Sequence, residues 1–137
     1  MWSRIEDSTR LPHLPAEITQ VDLCGVALEV AAWGTPLSQL SFLDALPEKS
    51  LRVATDTLTM LHLLNSDGHI TPLGRSVLGL PLHPRLGTMV ARNRDLHPHG
   101  WIACVVAALL EERDIIRGKP DTLPADLALR VKAVLGI

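Results

Sequence analysis

The chain has 137 residues, 47% of them hydrophobic and 20% charged, and a formal net charge of −2. This composition is typical of one globular domain and excludes a disordered chain, whereas a charge so close to zero neither favours nor excludes nucleic-acid binding. The longest apolar run, Trp101 to Leu110, is about half of the roughly 20 residues that cross a bilayer, so we expect no membrane partner. No basic segment followed by an apolar one opens the chain, which predicts a cytoplasmic protein without a secretory signal.

The charges are distributed unevenly along the chain. Residues 1–69 hold nine acids and four bases, a net −5, and residues 111–137 hold five of each. Residues 70–110 are net +3, with one acid, Asp95, against four arginines: Arg75, Arg85, Arg92 and Arg94. A local basic section on a mildly acidic protein is typical of a phosphate-binding surface, although an ordinary solvated helix face has the same pattern.

The N-terminal part of the chain predicts a lead-in followed by helices. Residues 1–19 lack helical periodicity and contain two prolines, so we expect an extended lead-in. From Val21 to Ala32 apolar residues recur near helical spacing, and Gly34 is placed to stop that helix. A shorter helical piece of one or two turns is predicted within residues 36–46.

A longer helix is predicted to begin at Pro47, because a missing N–H is harmless in a first turn. Its apolar stripe steps by three and four residues through Leu51, Ala54, Leu58 and Leu61. Asp67-Gly68 then predicts a turn, and residues 69–71 a short strand.

Prolines introduce the next two predicted helices. Thr71-Pro72 provides a cap and a first turn for a helix that ends at Gly79, and Pro84 begins another. Apolar patterns predict two further helices, over residues 99–116 and 126–135. The fold class is therefore mainly α, with six or so helices and at most a minimal hairpin.

The order of these elements fits a degenerate winged-helix module followed by a small helical bundle. On this interpretation residues 1–19 are the lead-in, residues 20–82 the winged-helix-like module, and residues 83–137 the start of the bundle.

No catalytic or metal-binding motif is recognisable in the sequence, so we expect neither catalytic residues nor a metal site. The only Gly-Lys pair, Gly118-Lys119, is not followed by the Ser or Thr of a phosphate-binding loop, and no Cys-x-x-Cys occurs. His97 and His99 are interpreted as part of an exposed loop between helices, since zinc usually takes four ligands.

Apolar patterns surround the two cysteines and two of the tryptophans. Cys24 and Cys104 are predicted to be buried free thiols. Trp33 lies at a helix end and Trp101 heads an apolar helix, so we expect both rings to pack in the core or between helices. Base stacking would instead need exposed rings beside basic residues.

The stretch LLEERDIIRG, residues 109–118, places four charges after an apolar half-helix: Glu111, Glu112, Arg113 and Asp114. Such a run is most often a solvated helix end whose charges pair locally. The alternative is a segment that docks on a neighbouring domain.

Four sections of the sequence resemble the C-terminal helicase-associated region of DEAH-box ATP-dependent helicases, in particular the bacterial HrpB type. RLPHLPAEITQVDLCGVALEVAAWG (10–34) is similar to the link from the second motor domain into the winged helix, and FLDALP (42–47) to a Leu-Asp-x-Pro turn. LTMLHLLNSDGHITPLGRSVLGLPLHPRLGTMV (58–90) is the most specific section, and ALLEERDIIRG (108–118) is typical of the HrpB type. Together they cover nearly the whole chain.

The resemblance implies a role as part of a larger ATP-dependent helicase. The family's ATP- and Mg²⁺-binding motifs lie in two motor domains that have no counterpart here, so no cofactor is expected in this chain. Residues 1–19 would follow the end of the second motor domain. The winged helix and bundle would pack on the motor domains of the same polypeptide. They would help to close a channel that grips single-stranded RNA or DNA weakly and without reading its sequence.

The resemblance also suggests which residues carry that role. Arg85, Arg92 and Arg94 are the candidates for the basic lining of the channel. Arg75 is predicted to be structural, bridging to carbonyls or to a carboxylate. Residues 111–114 are the candidate docking segment between domains.

Two alternatives from other functional classes stay open. A free-standing winged-helix regulator of duplex DNA would need a basic recognition helix, but residues 47–65 carry Lys49 and Arg52 against Glu48 and Asp56. A pure protein-docking scaffold would bind no nucleic acid.

Overall fold

The computed structural model describes residues 3–9, 13–118 and 123–137 and is mainly helical. Its seven α-helices are α1 (Arg4–Ser8), α2 (Cys24–Trp33), α3 (Glu48–Met60), α4 (Pro72–Leu78), α5 (Pro84–Asn93), α6 (His99–Glu111) and α7 (Leu127–Leu135). Two 3₁₀ turns, Glu17–Thr19 and Leu37–Gln39, lie between the first three helices. The mainly α fold class is confirmed.

Helix α1 contradicts the prediction of an extended lead-in over residues 1–19. The Ser3 hydroxyl accepts the Glu6 N–H at 3.2 Å, and the Glu6 carboxylate accepts the Ser3 N–H at 2.6 Å. This reciprocal capping box supplies partners for two of the N–H groups that a helix start leaves unpaired. The Ser-x-x-Glu spacing of residues 3–6 encodes this capping box.

The core is built by α2, α3 and α4. Its buried members include Leu28 on α2, Leu58 on α3 and Val77 on α4, and Leu58 has no exposed surface. Ala54 is also buried, and Leu51 and Leu61 pack on the core as partly buried neighbours. The apolar stripe predicted for the third helix therefore faces the core.

The chain reverses between α3 and α4 through a tight turn. The Asn65 side-chain oxygen accepts the N–H groups of Asp67, at 3.0 Å, and His69, at 2.8 Å, and Gly68 adopts a left-handed φ of 80°. In the described part of the chain, the short strand expected over residues 69–71 is a single antiparallel bridge between Leu64 and Ile70.

Predicted cap residues begin and end several helices. Thr71 accepts the Gly74 N–H at 3.0 Å and precedes Pro72 at the start of α4, which ends at Gly79. Gly34 ends α2 with a φ of 77°, a left-handed conformation that costs glycine little. Pro84 begins α5 behind a His83 cap. The terminal predictions made from Gly and Pro are confirmed at these positions.

Gly74 is held against the bridge that joins the turn to α4. A β-carbon built there would lie 2.4 Å from the Leu63 carbonyl oxygen and 2.8 Å from Ile70 Cγ1. The same carbonyl accepts the Thr71 N–H at 2.9 Å. Only glycine therefore lets α4 approach the bridge this closely.

Helices α5, α6 and α7 continue the fold as successive packed neighbours. Helix α6 buries Gly100, Ala103 and Ala107, whereas α7 has no buried residue. Helix α6 ends at Glu111, five residues earlier than the 116 expected. The Asp114 carboxylate accepts the Ile116 N–H at 3.0 Å, a local turn that competes with continued helix.

Candidate nucleic-acid interface

The exposed flank of α5 carries two of the three arginines predicted to bind a strand. Arg85 and Arg92 are seven residues apart, which places them on the same side of the helix, about 10 Å apart along its axis. Both are exposed, whereas Pro84, Gly87 and Thr88 of the same helix are buried. No acidic residue occurs in α5. The helix therefore presents two cations to solvent at a spacing set by its geometry.

Arg92 is also tied to the end of α3. Its Nη2 donates to the Leu61 carbonyl at 3.0 Å, and Leu61 is the residue that ends α3. A cation at a helix C-terminus pairs with carbonyls that have no partner within the helix and with the negative end of the dipole. The bridge to a carbonyl that the sequence analysis assigned to Arg75 is thus made by Arg92. One of the five guanidinium N–H donors is used there, and the others remain for a ligand.

Arg94 and Arg75 have different surroundings. Arg94 follows α5 and its Nε lies 3.8 Å from the Asp95 carboxylate, a pair so exposed that it adds little to stability. Arg75 is exposed in the last turn of α4, and its side chain makes no hydrogen bond or ion pair with a residue described here. The structural role of Arg75 stays a prediction without a contact behind it.

A polar cluster joins the start of α2 to the start of α5. The Asp22 carboxylate accepts the Cys24 N–H at 2.7 Å and lies 3.6 Å from His83 Nε2. His83 Nδ1 in turn accepts the Arg85 N–H at 3.3 Å. Hydrogen bonding from the Cys24 thiol lowers the pKa of Asp22, and the nearby His83 adds to this. The cluster therefore caps two helices at once and positions the backbone of Arg85.

The same cluster contains three potential metal ligands, and His83 is too far along the sequence from the other two for a motif to join them. One ligand atom each from Asp22, Cys24 and His83 lies within 4.8 Å of the others. Burial raises the pKa of the Cys24 thiol to about 12, so the thiolate that a metal needs is disfavoured. Because His83 Nδ1 accepts a backbone N–H, the neutral ring carries its proton on Nε2, the atom that would have to ligate. The donor set fits a capping cluster better than a metal centre.

The charged segment after α6 is only partly free for docking. Asp114 pairs with Arg130 of α7 through two guanidinium nitrogens, and Arg130 also donates to the carbonyls of Pro124, at 2.7 Å, and Asp126, at 3.0 Å. Hydrogen bonding to Arg130 lowers the pKa of Asp114. Glu111, Glu112 and Arg113 remain exposed. Asp114 is thus already paired with a residue of α7, which leaves the other three as docking candidates.

An apolar groove of about 390 Å³ lies between α6 and α7. It is lined by Cys104, Val105, Ala108, Leu109, Glu112, Ile115 and Val134. Cys104 is exposed, so the prediction that it is buried was wrong, whereas Cys24 is buried as expected. Helix α6 is apolar on every side, and its sequence alone therefore does not indicate which face meets its neighbours.

Both described tryptophans are exposed, which contradicts the expectation that their rings pack inside. Trp33 has 70% of its surface exposed and Trp101 has 53%. Trp33 is the last residue of α2, beyond the core contacts. On α6 the residues that pack inward are the small Gly100, Ala103 and Ala107, which leaves the neighbouring ring outside. His97 and His99 are exposed around the start of α6, as predicted.

In the ranges 3–9, 13–118 and 123–137, no helix has both the length and the apolar character that a membrane crossing requires.

Regions of known DEAH-type helicases are similar to this chain. The ATP-dependent RNA helicase HrpB of Escherichia coli K12 is 35% identical over 99 residues, 70% of this chain and 12% of that protein. A pre-mRNA-splicing factor ATP-dependent RNA helicase of Schizosaccharomyces pombe is 28% identical over 100 residues, 72% of this chain and 9% of that protein. The chain thus spans about a tenth of the length of these relatives. No family model matches it.

Solved structures of HrpB helicases are also similar to this chain. A crystal structure of the E. coli DExH-box NTPase HrpB matches 87% of this chain and 16% of its own, with a TM-score of 0.70 and 26% identity. A crystal structure of the E. coli DEAH/RHA helicase HrpB matches 98% of this chain and 18% of its own, with a TM-score of 0.74 at 24% identity, a likeness of fold. The predicted resemblance to HrpB-type helicases is confirmed: the chain matches one portion of such proteins.

Proposed function

We propose, from the likeness to one portion of HrpB-type helicases, that this chain is a non-catalytic accessory segment of an ATP-dependent RNA helicase. It packs on motor domains of the same polypeptide, which carry ATP and Mg²⁺, and forms part of the wall of a single-strand channel. Residues 20–82 act as the winged-helix-like module and residues 83–137 as the start of the bundle. The likeness over nearly the whole chain supports this proposal.

The observation that carries the strand-binding part is the exposed flank of α5. Arg85 and Arg92 lie two turns apart on a helix without acidic residues, and Arg94 follows at its end. A single strand that is gripped without base reading needs cations at its phosphates and a rigid support beneath them. The buried side of α5 and the capping cluster at His83 supply that support.

The groove between α6 and α7 and the exposed Glu111, Glu112 and Arg113 support a contact with motor domains. An open apolar surface on a small domain is typical of a face that another protein segment covers. The same observation favours the second candidate function, a scaffold that docks on protein and binds no nucleic acid. A duplex-DNA regulator is less favoured because the exposed charges of α3 are balanced, Lys49 and Arg52 against Glu48 and Asp56.

Fluorescence anisotropy separates these functions. The chain is titrated onto labelled single-stranded RNA, single-stranded DNA and duplex DNA, at low and moderate salt. We expect weak binding to both single strands, with an affinity that falls with salt by a slope of roughly −0.7 per phosphate contact. Preference for the duplex would favour the regulator, and no binding to any probe at tens of micromolar protein would favour the scaffold.

Variants locate the contact on α5. Arg85→Glu is expected to weaken single-strand binding and to flatten the salt slope, because it removes one phosphate contact and adds repulsion. Arg52→Glu on α3 makes the same charge change away from α5 and is the matched control. Since Arg92 also holds the Leu61 carbonyl, Arg92→Lys keeps its charge while it tests that bridge. Equal losses for Arg85→Glu and Arg52→Glu would contradict a specific role for α5.

A further inference from the structure

We infer that Trp101 is a base-stacking platform beside the C-terminal end of α5, so that the strand is held by its bases as well as by its phosphates. This inference rests on the proposed single-strand binding and names a residue outside the arginine set. It starts from the exposure of the ring: 53% of Trp101 is open to solvent, although it lies in the first turn of a helix that packs on α5.

The backbone brings Trp101 next to the end of α5. A β-carbon built on Gly100 would lie 2.6 Å from the Asn93 carbonyl oxygen and 2.9 Å from that of Arg94. The first turn of α6 is therefore in direct contact with the last residues of α5, and the Gly100 N–H donates to the Leu96 carbonyl at 2.7 Å. Trp101, the next residue, lies at the corner where Arg94 leaves α5.

The side chains around that corner have the chemistry of a single-strand site. Arg94, His97 and His99 are all exposed, and Asp95 is the only acid in residues 70–110. Platforms that bind single strands combine cations for the phosphates with an aromatic ring on which a base stacks. Arg92 lies in the last turn of α5 and Arg94 directly after it, and Trp101 lies in the first turn of the helix that contacts this end of α5.

Trp33 is more exposed than Trp101, but no arginine is near it in the sequence. It ends α2 and is followed by Gly34, Thr35 and Pro36, with no cationic residue between 30 and 40. Exposure alone is therefore not what distinguishes Trp101, and Trp33 serves as the matched control for the loss of an exposed indole.

The test compares a normal and an abasic strand. Anisotropy is measured with a single-stranded oligoadenylate and with an abasic oligonucleotide of equal length, at one salt concentration. Trp101→Ala is expected to weaken oligoadenylate binding about tenfold and to leave abasic binding unchanged, because stacking needs the base. Trp101→Phe should keep most of the affinity, and Trp33→Ala should bind both strands like the wild type.

A fluorescence titration supplies a second readout. With Trp2→Phe and Trp33→Phe, Trp101 is the only indole, and stacking should quench its emission with oligoadenylate but not with the abasic strand. Equal losses of Trp101→Ala on both strands, or no loss on either, would overturn the inference. If the wild type binds the abasic strand in a way that depends on Arg85 and Trp101→Ala has no effect, only the stacking role fails. If the wild type binds neither strand, the proposed function fails with it.

Discussion

Gly74→Ala should destabilise the protein, although alanine is the better helix former. The added β-carbon would lie 2.4 Å from the Leu63 carbonyl oxygen, about 1 Å inside ordinary contact distance. That oxygen cannot move freely, because it accepts the Thr71 N–H at 2.9 Å and the Thr71 hydroxyl at 3.2 Å. The bridge and the cap of α4 would therefore shift together.

The size of the effect follows from two opposing contributions. Overpacking against groups that cannot yield costs typically about 1–3 kcal/mol, and sometimes more. The gain in helix propensity from Gly to Ala is at most about 1 kcal/mol. We expect a net loss of roughly 1–2 kcal/mol, which for a chain of this size lowers Tm by about 4–8 °C.

Thermal and urea unfolding followed by far-UV circular dichroism measure this loss. Gly25→Ala is the matched control, since Gly25 lies in α2 and a β-carbon there would meet nothing within 4 Å. That variant should be as stable as the wild type or slightly more stable. If Gly74→Ala raised Tm as Gly25→Ala does, the close approach of α4 to the Leu63 carbonyl would be refuted.

Other substitutions test the core, the buried thiol and the last helix. Leu58→Ala should cost about 2–5 kcal/mol in urea unfolding because Leu58 has no exposed surface, whereas Leu43→Ala, at a fully exposed side chain, should change stability by less than about 0.5 kcal/mol. Burial raises the pKa of the Cys24 thiol to about 12, so the folded protein favours the neutral thiol. This preference stabilises the fold fully below the pKa that the thiol has in the unfolded chain, and the stabilisation is lost as the pH rises towards 12. The free energy of unfolding should be roughly 1 kcal/mol lower at pH 10.5 than at pH 8.5. This difference should disappear in Cys24→Ala and remain in Cys104→Ala. Asp114→Asn should speed amide exchange in α7, since the carboxylate that Arg130 holds is gone; unchanged exchange would show that packing on α6 suffices.

Local signals in the sequence predicted the helix ends, and this has a physical reason. A proline in a first turn, a threonine cap or a left-handed glycine affects only the few residues around it. Thr71-Pro72 therefore begins a helix and Gly34 ends one, as their residue types predict. The Ser3–Glu6 capping box is a local signal of the same kind, encoded by a Ser-x-x-Glu spacing. The sequence sections that resemble HrpB-type helicases agree with the similarity of this chain to HrpB of E. coli in sequence and in structure.

Local signals did not predict the contacts between residues that are distant in the sequence. Nothing near Arg92 in the sequence indicates that it reaches the Leu61 carbonyl, 31 positions away. Likewise, Asp22 and His83 meet only because α2 and α5 do. The exposure of Trp101 and Cys104 was mispredicted because α6 is apolar all round, and such a helix does not show by its pattern which side packs.

Most helices pack on the helix that precedes them in the sequence: α3 on α2, α5 on α4, α6 on α5 and α7 on α6. Such a low contact order favours rapid folding, since little loop-closure entropy is lost before each contact forms. The Asp22–His83 pair is an exception, because it must wait until α5 has been made. During synthesis the early helices can therefore fold as they leave the ribosome. The arrival of His83 then caps α5 and gives the Asp22 carboxylate a second partner before α6 and α7 are added.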